Sequence, residues 1–250
     1  MEIPEQLLEA LRVARHVMVL TGAGVSAESG LATFRDPLTG LWERFNPQKL
    51  ATPEAFRRDP ALVWGWYEWR RMKVLRALPN AGHHAIHSLE TKVPRLTLVT
   101  QNVDDLHERA GSNHVHHLHG TLAHPRCSTC HEPYTFPSGI PDEPEEGRRV
   151  DPPSCAACRA RVRPGVVWFG EGLPQHEWAI AEEAAEDCDV FLCVGTSSVV
   201  YPAASLIERA VDAGAVTVQV NPGGTAWDQR VSYDFRAPAG VVLPTLVGRM

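Results

Sequence analysis

The chain has 250 residues, 44% of them hydrophobic and 22% charged, with a formal net charge of −6. That length can bury a sizeable core in one domain or two. The acidic balance argues against nucleic acid or an anionic membrane as partner, and no apolar run reaches the roughly 18 residues that cross a bilayer.

The N-terminus, Met1-Glu2-Ile3-Pro4-Glu5-Gln6, lacks the basic start of a signal peptide. A cytoplasmic chain with reduced thiols is therefore expected. After Pro4, apolar Leu7, Leu8, Leu11 and Ala14 recur at helical spacing. The run His16-Val17-Met18-Val19-Leu20 reads as a buried strand that Thr21 ends. The loop Gly22-Ala23-Gly24-Val25-Ser26-Ala27-Glu28-Ser29-Gly30 follows directly. Gly22, Gly24 and Ala27 fit the fingerprint of dinucleotide binding, in which glycines bring the backbone close to a diphosphate. An ordinary strand-to-helix turn reads the same way. A dehydrogenase would reach its second strand within a βαβ span of about 30 residues. Here the chain runs instead into Phe34-Arg35-Asp36-Pro37, then Pro47, Pro53 and Pro60, with no strand before Leu96–Thr100. Dinucleotide chemistry other than hydride transfer is favoured.

Helices are expected over residues 61–78 and from Asn80 through Leu89, then 175–186 and 203–213. Strands are expected over 166–169, 189–194 and 215–220. Apolar strands alternating with helices predict an α/β fold with a doubly wound, Rossmann-like parallel sheet. Two stretches break the rhythm, residues 35–81 and 121–163. They suggest a smaller inserted domain, a helical module plus a zinc ribbon, set in a nucleotide-binding domain of residues 1–34, 82–120 and 164–250.

Cys127-Ser128-Thr129-Cys130 and Cys155-Ala156-Ala157-Cys158 are two C-x-x-C pairs, separated by a stretch rich in proline and charge. Each pair sets two thiolates on a tight turn, and two turns close a tetrahedron around Zn²⁺. Four thiolates fill the coordination shell, so the metal is expected to be structural, one per chain. Cys188 and Cys193 read as core residues. His114, His116 and His117, and His83 and His87, lack partners for a second metal site.

Polar residues gather where strands end, the edge at which doubly wound folds bind ligands. Gln101-Asn102-Val103-Asp104 follows Thr100; Asn102 and Asp104 suit an amide, ribose or water there, and equally a helix cap. His119 closes Val115-His116-His117-Leu118 before Gly120. It is placed to act as a base near neutral pH, or as a structural histidine. Gly195-Thr196-Ser197 and Val220-Asn221-Pro222 end two later strands and supply small polar groups or loop caps.

Together these segments resemble the sirtuins, NAD-dependent protein-lysine deacylases. The glycine loop, Thr33-Phe34-Arg35, Gln101 to Asp104, His119-Gly120, the cysteine quartet, Val167-Trp168-Phe169-Gly170-Glu171, Gly195 to Ser197 and Val220 to Pro222 occur in family order over nearly the whole chain. Leu31-Ala32 departs from the Ile-Pro of many members. The resemblance implies that NAD is consumed: the acyl oxygen of a modified lysine attacks the ribose carbon as nicotinamide leaves, and an alkylimidate resolves to free lysine and O-acyl-ADP-ribose. His119 matches the general base. Asn102 and Asp104 match residues around the nicotinamide and ribose. Phe34 and Arg35 match the loop that closes over the cofactor. Gly22, Ala23, Gly24, Ala27, Gln101, Val103, Gly195, Thr196, Ser197, Asn221, Pro222 and Ala239 fall at further nucleotide positions. Val167, Trp168, Phe169 and Gly170 match the segment that pairs with an acyl-lysine peptide, reading backbone more than side chains.

Tyr67 and Arg70, three apart on a predicted helix, face one way and can jointly hold a carboxylate. The pattern resembles the sirtuin class that removes succinyl and malonyl groups; a packing tyrosine beside a solvated arginine is the plainer reading. A protein mono-ADP-ribosyl transferase and a non-catalytic NAD-sensing module are the alternatives. The sequence does not set the oligomeric state, and a monomer is compatible with it.

Overall fold

A computed structural model describes residues 2–33 and 40–250. Phe34 and Arg35, assigned to the cofactor loop, lie outside the described residues. The first helix, α1 (Glu5–Val13), leads into strand β1 (His16–Thr21), and the glycine loop opens a one-turn helix, α2 (Ala23–Ala27). Four helices follow: α3 (Pro47–Leu50), α4 (Pro53–Arg58), α5 (Pro60–Arg76) and α6 (Ala81–Glu90). Each begins where its sequence allows. Asn46, Thr52, Asp59 and Asn80 accept hydrogen bonds from the first turns, and Pro occupies the start of three of the four.

The chain continues through β2 (Arg95–Thr100), α7 (Leu106–Ala110) and β3 (Val115–His117), then a two-stranded piece, β4 (Arg126–Cys127) with β5 (Val162–Arg163). It ends with α8 (Gln175–Asp187), β6 (Val190–Val194), α9 (Ser205–Asp212), β7 (Val216–Val220), β8 (Tyr233–Phe235) and α10 (Ala239–Gly248).

Six strands form one sheet in the order β3-β2-β1-β6-β7-β8, every pair parallel. The chain winds outward from β1 to β3, then returns to β6 and winds the other way. The strand order therefore switches between β1 and β6, the place where doubly wound folds open a ligand crevice. Side chains alternate across each strand and build two cores. Val17, Val19, Leu98, Leu192 and Val218 pack beneath α1, α6 and α10; Met18, Leu20, Val99, Phe191 and Cys193 pack against α8 and α9. A third apolar cluster joins Phe56, Val63, Trp66, Tyr67 and Met72 of the helical insertion to Leu122, Val166 and Trp168.

One expectation needs correction. Residues 166–169 are not a strand. Val166 makes one isolated bridge to Gly120, and the next three N–H groups go to unrelated acceptors: Val167 to the His119 carbonyl, Trp168 to the Glu171 carboxylate and Phe169 to the Ala51 carbonyl. No single neighbour offers a ladder. The sequence reading also lacked β8 and α10. β8 has only three residues, and α10 carries Pro244 inside it, where the ring removes the bond to the Gly240 carbonyl. The helix persists because Val242, Leu243, Leu246 and Val247 are buried in the core beside α6.

Candidate active site and metal centre

The cleft begins with close contact between two backbones. Gly22 N–H donates to the Val194 carbonyl (3.0 Å) and Gly24 N–H to the Gly195 carbonyl (2.8 Å). A Cβ on Gly24 would lie 2.7 Å from Gly195 Cα; one on Gly195, which has φ +61°, would lie 2.3 Å from Val25 N. Only glycines let the β1 and β6 loops approach this way. Ala27, the third fingerprint position, is exposed rather than packed on the sheet.

The β2–α7 loop lies across this contact. Gln101 N–H donates to the Thr21 carbonyl, and Gln101 Nε2 donates to Thr196 Oγ1 at 2.9 Å. Asn102 is buried, and its Nδ2 donates to the Gly22 carbonyl and to Ser26 Oγ, each at 3.1 Å. Ser26 Oγ in turn donates to Asp104 Oδ2 at 3.0 Å, while Leu106 N–H donates to Asp104 Oδ1 at 3.2 Å. Burial pushes the Asp104 carboxyl pKa above the ordinary aspartate value, against the pull of these two donors and of the charge on His117. Asn221 reaches the same group through Nδ2 to the Thr196 carbonyl, 3.4 Å away. Gly22, Gly24, Gln101, Asn102, Asp104, Gly195, Thr196 and Asn221 are thus brought together at the sheet's switch point.

His119 stands just beyond β3. Its Nδ1 lies 2.9 Å from the Gln101 carbonyl. A carbonyl only accepts, so Nδ1 carries the hydrogen and Nε2 keeps its lone pair. Burial lowers the His119 pKa below the usual histidine value. The ring is a neutral, oriented proton acceptor at neutral pH.

The opposite side of the cleft is aromatic. Tyr67 is buried, and its hydroxyl accepts from Trp168 Nε1 at 3.1 Å. Burial pushes its phenol up to about 12. One turn along α5, the Arg70 guanidinium lies 5.0 Å from the Trp66 ring centroid and 5.9 Å from that of Tyr67. Burial lowers its pKa, while the Tyr67 phenol and Asp104 draw it back up. Trp168 is clamped by Arg163, whose guanidinium stacks 3.6 Å from its ring centroid and makes a two-toothed pair with Glu171 at 2.5 and 2.8 Å.

The four cysteines converge. Their sulfurs all lie within 4.8 Å of one another, with Cys127 to Cys158 at 3.4 Å and Cys130 to Cys155 at 3.7 Å. A zinc tetrahedron with bonds of about 2.3 Å sets sulfurs about 3.8 Å apart. The two turns match: His131 and Arg159, each directly after a C-x-x-C pair, take positive φ of 63° and 66°. The Cys130 and Thr129 N–H groups point at Cys127 Sγ and lower its thiol to about 6, while, against the pull of the Glu132 backbone, the crowding of neighbouring thiols pushes Cys130 up to about 12. The cluster fits structural zinc, which Cys127, Cys130, Cys155 and Cys158 would hold.

The model of the Sir2 family matches residues 22–202, more than half of the chain. The NAD-dependent protein deacylase of Methylococcus capsulatus is 61% identical over 247 residues, covering 99% of this chain and 97% of its own. Among solved structures, a Sir2 homolog–NAD complex aligns with a TM-score of 0.88 at 43% identity, over 99% of this chain and 93% of that one. A Sir2 with a p53 peptide and NAD+ aligns at 0.85 and 30% identity, over 99% of this chain and 98% of that one. The chain belongs to the Sir2 family.

Several residues of this Sir2 chain lie away from the cleft contact or escaped the sequence reading. Ala239 is buried, 3.3 Å from where a Gly82 Cβ would sit, so its side chain serves the α6–α10 packing. Pro222 is exposed, and Ala23 and Ser197 are half-buried. The Val103 carbonyl accepts from Leu122 N–H. In sequence Ser26 is only one residue of the glycine loop; in the fold it links Asn102 to Asp104. A buried relay behind them was also missed: His107 Nε2 donates to Thr21 Oγ1 (3.0 Å), Thr21 to Thr100 Oγ1 (2.8 Å), and Thr100 Oγ1 accepts from Asn102 N–H (3.0 Å). Its members come from three separate stretches, and no local spacing joins them.

Proposed function

We propose that this chain removes acyl groups, acetyl and also succinyl and malonyl, from protein lysines while consuming NAD, and releases nicotinamide and O-acyl-ADP-ribose. The observation that carries the reading is a neutral His119 whose Nε2 makes no hydrogen bond among the described residues, beside the Asn102–Ser26–Asp104 cluster at the sheet's switch point. Binding alone needs no oriented base. When bound, NAD supplies a ribose carbon whose bond to nicotinamide can break. His119 Nε2 then accepts the proton of a ribose hydroxyl. Asn102 and Asp104 orient the ribose side, and the glycine contacts, Gln101, Thr196 and Asn221 take the rest of the nucleotide.

A carboxylate-ended acyl group suits the other side. The Arg70 guanidinium, held among Trp66 and Tyr67, favours an anion there, and Tyr67 retains a hydroxyl hydrogen after accepting from Trp168. Peptide backbone would meet the 167–170 segment at the Val167, Phe169 and Gly170 carbonyls and at Gly170 N–H, since the N–H groups of Val167, Trp168 and Phe169 and the Trp168 carbonyl are already used. The chain divides, in this reading, into a nucleotide domain of residues 1–34, 82–120 and 164–250 and a small domain of 35–81 and 121–163, and it works in the cytoplasm. Among the described residues no helix is long and apolar enough to cross a membrane.

Acetyl-, succinyl- and malonyl-lysine peptides incubated with and without NAD test the reading by mass spectrometry. Free lysine, nicotinamide and O-acyl-ADP-ribose should appear together and only with NAD. ADP-ribosylated peptide in their place would move the chain to the transferase alternative.

A further inference from the structure

His117, at the end of β3, differs from His119 two residues on. Both ring nitrogens of His117 meet acceptors. Nδ1 lies 3.0 Å from the Asn102 carbonyl, and Nε2 lies 2.7 Å from Glu108 Oε1 on α7. Neither a carbonyl nor a carboxylate can donate. A neutral imidazole has one N–H, so one contact would set lone pair against lone pair. Only the imidazolium satisfies both. His119 has a single acceptor and stays neutral. Adjacent carbonyls of one loop, Gln101 and Asn102, are therefore held by two histidines in opposite charge states.

We infer that His117, kept cationic by Glu108, is a positioning residue that fixes Asn102 through its backbone carbonyl, and that loss of this proton sets the alkaline limit of turnover. The inference rests on the deacylase reading for its kinetic half. Asn102 is held at three points: its N–H by Thr100, its side-chain amide by Gly22 and Ser26, and its carbonyl by His117. Deprotonating His117 gives up the Asn102 bond or turns an attraction to Glu108 into a repulsion. It also removes a positive charge that helps keep buried Asp104 ionised. The groups facing the ring are Glu108 on α7, Asp104 in the loop before it, and His107, which burial holds well below the ordinary histidine range and so neutral. His124 acts on Glu108 from the segment beyond β3. Against desolvation, the bond and charge of Glu108, the Asn102 carbonyl and Asp104 raise the His117 pKa above 6.5. The cation is present below that raised value and lost as pH climbs through it.

The experiment combines two measurements on wild type, Glu108→Gln and His117→Gln. NMR titration follows the His117 ring and the Asn102 carbonyl carbon, without substrate. Steady-state kcat for deacylation is followed over the same pH range. In the wild type the Asn102 carbonyl should titrate together with His117 above pH 6.5, and the alkaline limb of kcat should share that midpoint. Glu108→Gln keeps an acceptor but removes the charge, and should move all three midpoints down by about one unit or more, with the plateau kept within about twofold. His117→Gln should lose the alkaline limb while the acid limb, set by His119, stays. A wild-type His117 midpoint at or below 6.5, an Asn102 carbonyl that ignores it, or an alkaline limb unmoved by Glu108→Gln would each overturn the inference. Absence of NAD-dependent turnover in the wild type overturns the deacylase reading instead, and the titration still decides the clamp.

Discussion

The two sides of the cleft are held by different physics. The side proposed for the nucleotide hangs from the ends of parallel strands, and hydrogen bonds among Gln101, Asn102, Ser26 and Thr196 set it above two large apolar cores. The side proposed for the acyl group is built from α5, the 163–171 loop and the cysteine module. It depends on stacked rings and buried cations, Arg70 on Trp66 and Arg163 on Trp168. The first side has a deep core beneath it. The second has few buried apolar residues between 123 and 161, where Pro125, Cys127 and Cys155 are the buried nonpolar positions. A segment so poor in core needs a staple, and four converging thiolates supply one.

The widest separation of the two sides should come from the metal. Chelation, or Cys127→Ser, removes the tie that folds the β4–β5 piece, and metal binding to such sites is itself folding free energy. Arg163 belongs to β5 and grips both Glu171 and Trp168, so the acyl side should collapse with it. Deacylation should be lost almost completely, while helix content from the sheet domain and NAD binding, read by circular dichroism and calorimetry, should fall far less. One zinc per folded chain is expected from metal analysis; active protein free of zinc would count against the staple.

Next comes His119→Ala on the nucleotide side. A positioned base contributes about 10²–10⁴-fold. Turnover should drop by that factor with zinc content, melting temperature and NAD affinity nearly unchanged. Near-normal turnover would assign the proton to another group.

The nucleotide side was the more legible of the two for a physical reason. Gly22, Gly24, Asn102, His119 and Gly195 each sit directly after a strand, so an apolar run followed by small polar residues marks them. The cysteine quartet was legible because a C-x-x-C turn is local. What could not be read is what long-range packing decides. Residues 166–169 look like a strand by β-branched and aromatic content, but their N–H groups are claimed by Ala51, His119 and Glu171. Pro244, itself exposed, reads as a breaker until Val242, Leu243, Leu246 and Val247 are seen packed in the core beside α6. The charge on His117 depends on Glu108 across from it, and in sequence it looked like one histidine of a cluster.

Acid should strike beneath the nucleotide side through buried histidines. His83 and His107 stack edge-on with centroids 4.9 Å apart, and burial lowers His83 to about 4. A folded-state value below the unfolded 6.5 means that the folded chain prefers the neutral ring. The stability it contributes is complete above pH 6.5 and lost as pH falls toward 4. At about 1.4 kcal/mol per unit this amounts to about 3 kcal/mol from His83. Urea unfolding at pH 7 and pH 5 should show a loss that His83→Gln reduces. An equal loss in that variant would move the acid sensitivity from His83 to other buried groups, His107 first among them.

The smallest effects should come from the acyl side itself, and they should be selective. Succinyl and malonyl groups end in a carboxylate, and acetyl does not. A hydrogen bond to a charged group is worth about 1.5–3 kcal/mol, and each 1.4 kcal/mol is about tenfold. Arg70→Met should therefore cut desuccinylation by roughly ten- to a hundredfold and leave deacetylation within a few-fold. Tyr67→Phe removes one hydroxyl donor and also the acceptor that Trp168 Nε1 now uses at 3.1 Å. The donor would face the same charged carboxylate and accounts for a selective loss of about 1.5–3 kcal/mol on the succinyl substrate, roughly ten- to a hundredfold. The acceptor accounts for a smaller loss shared by both substrates, because Trp168 then shifts under either acyl group. Kinetics on matched acetyl and succinyl peptides separate the two contributions. A fall of equal size on both substrates for Arg70→Met would mean that the guanidinium supports the packing of Trp66 and Tyr67 and does not read the acyl carboxylate.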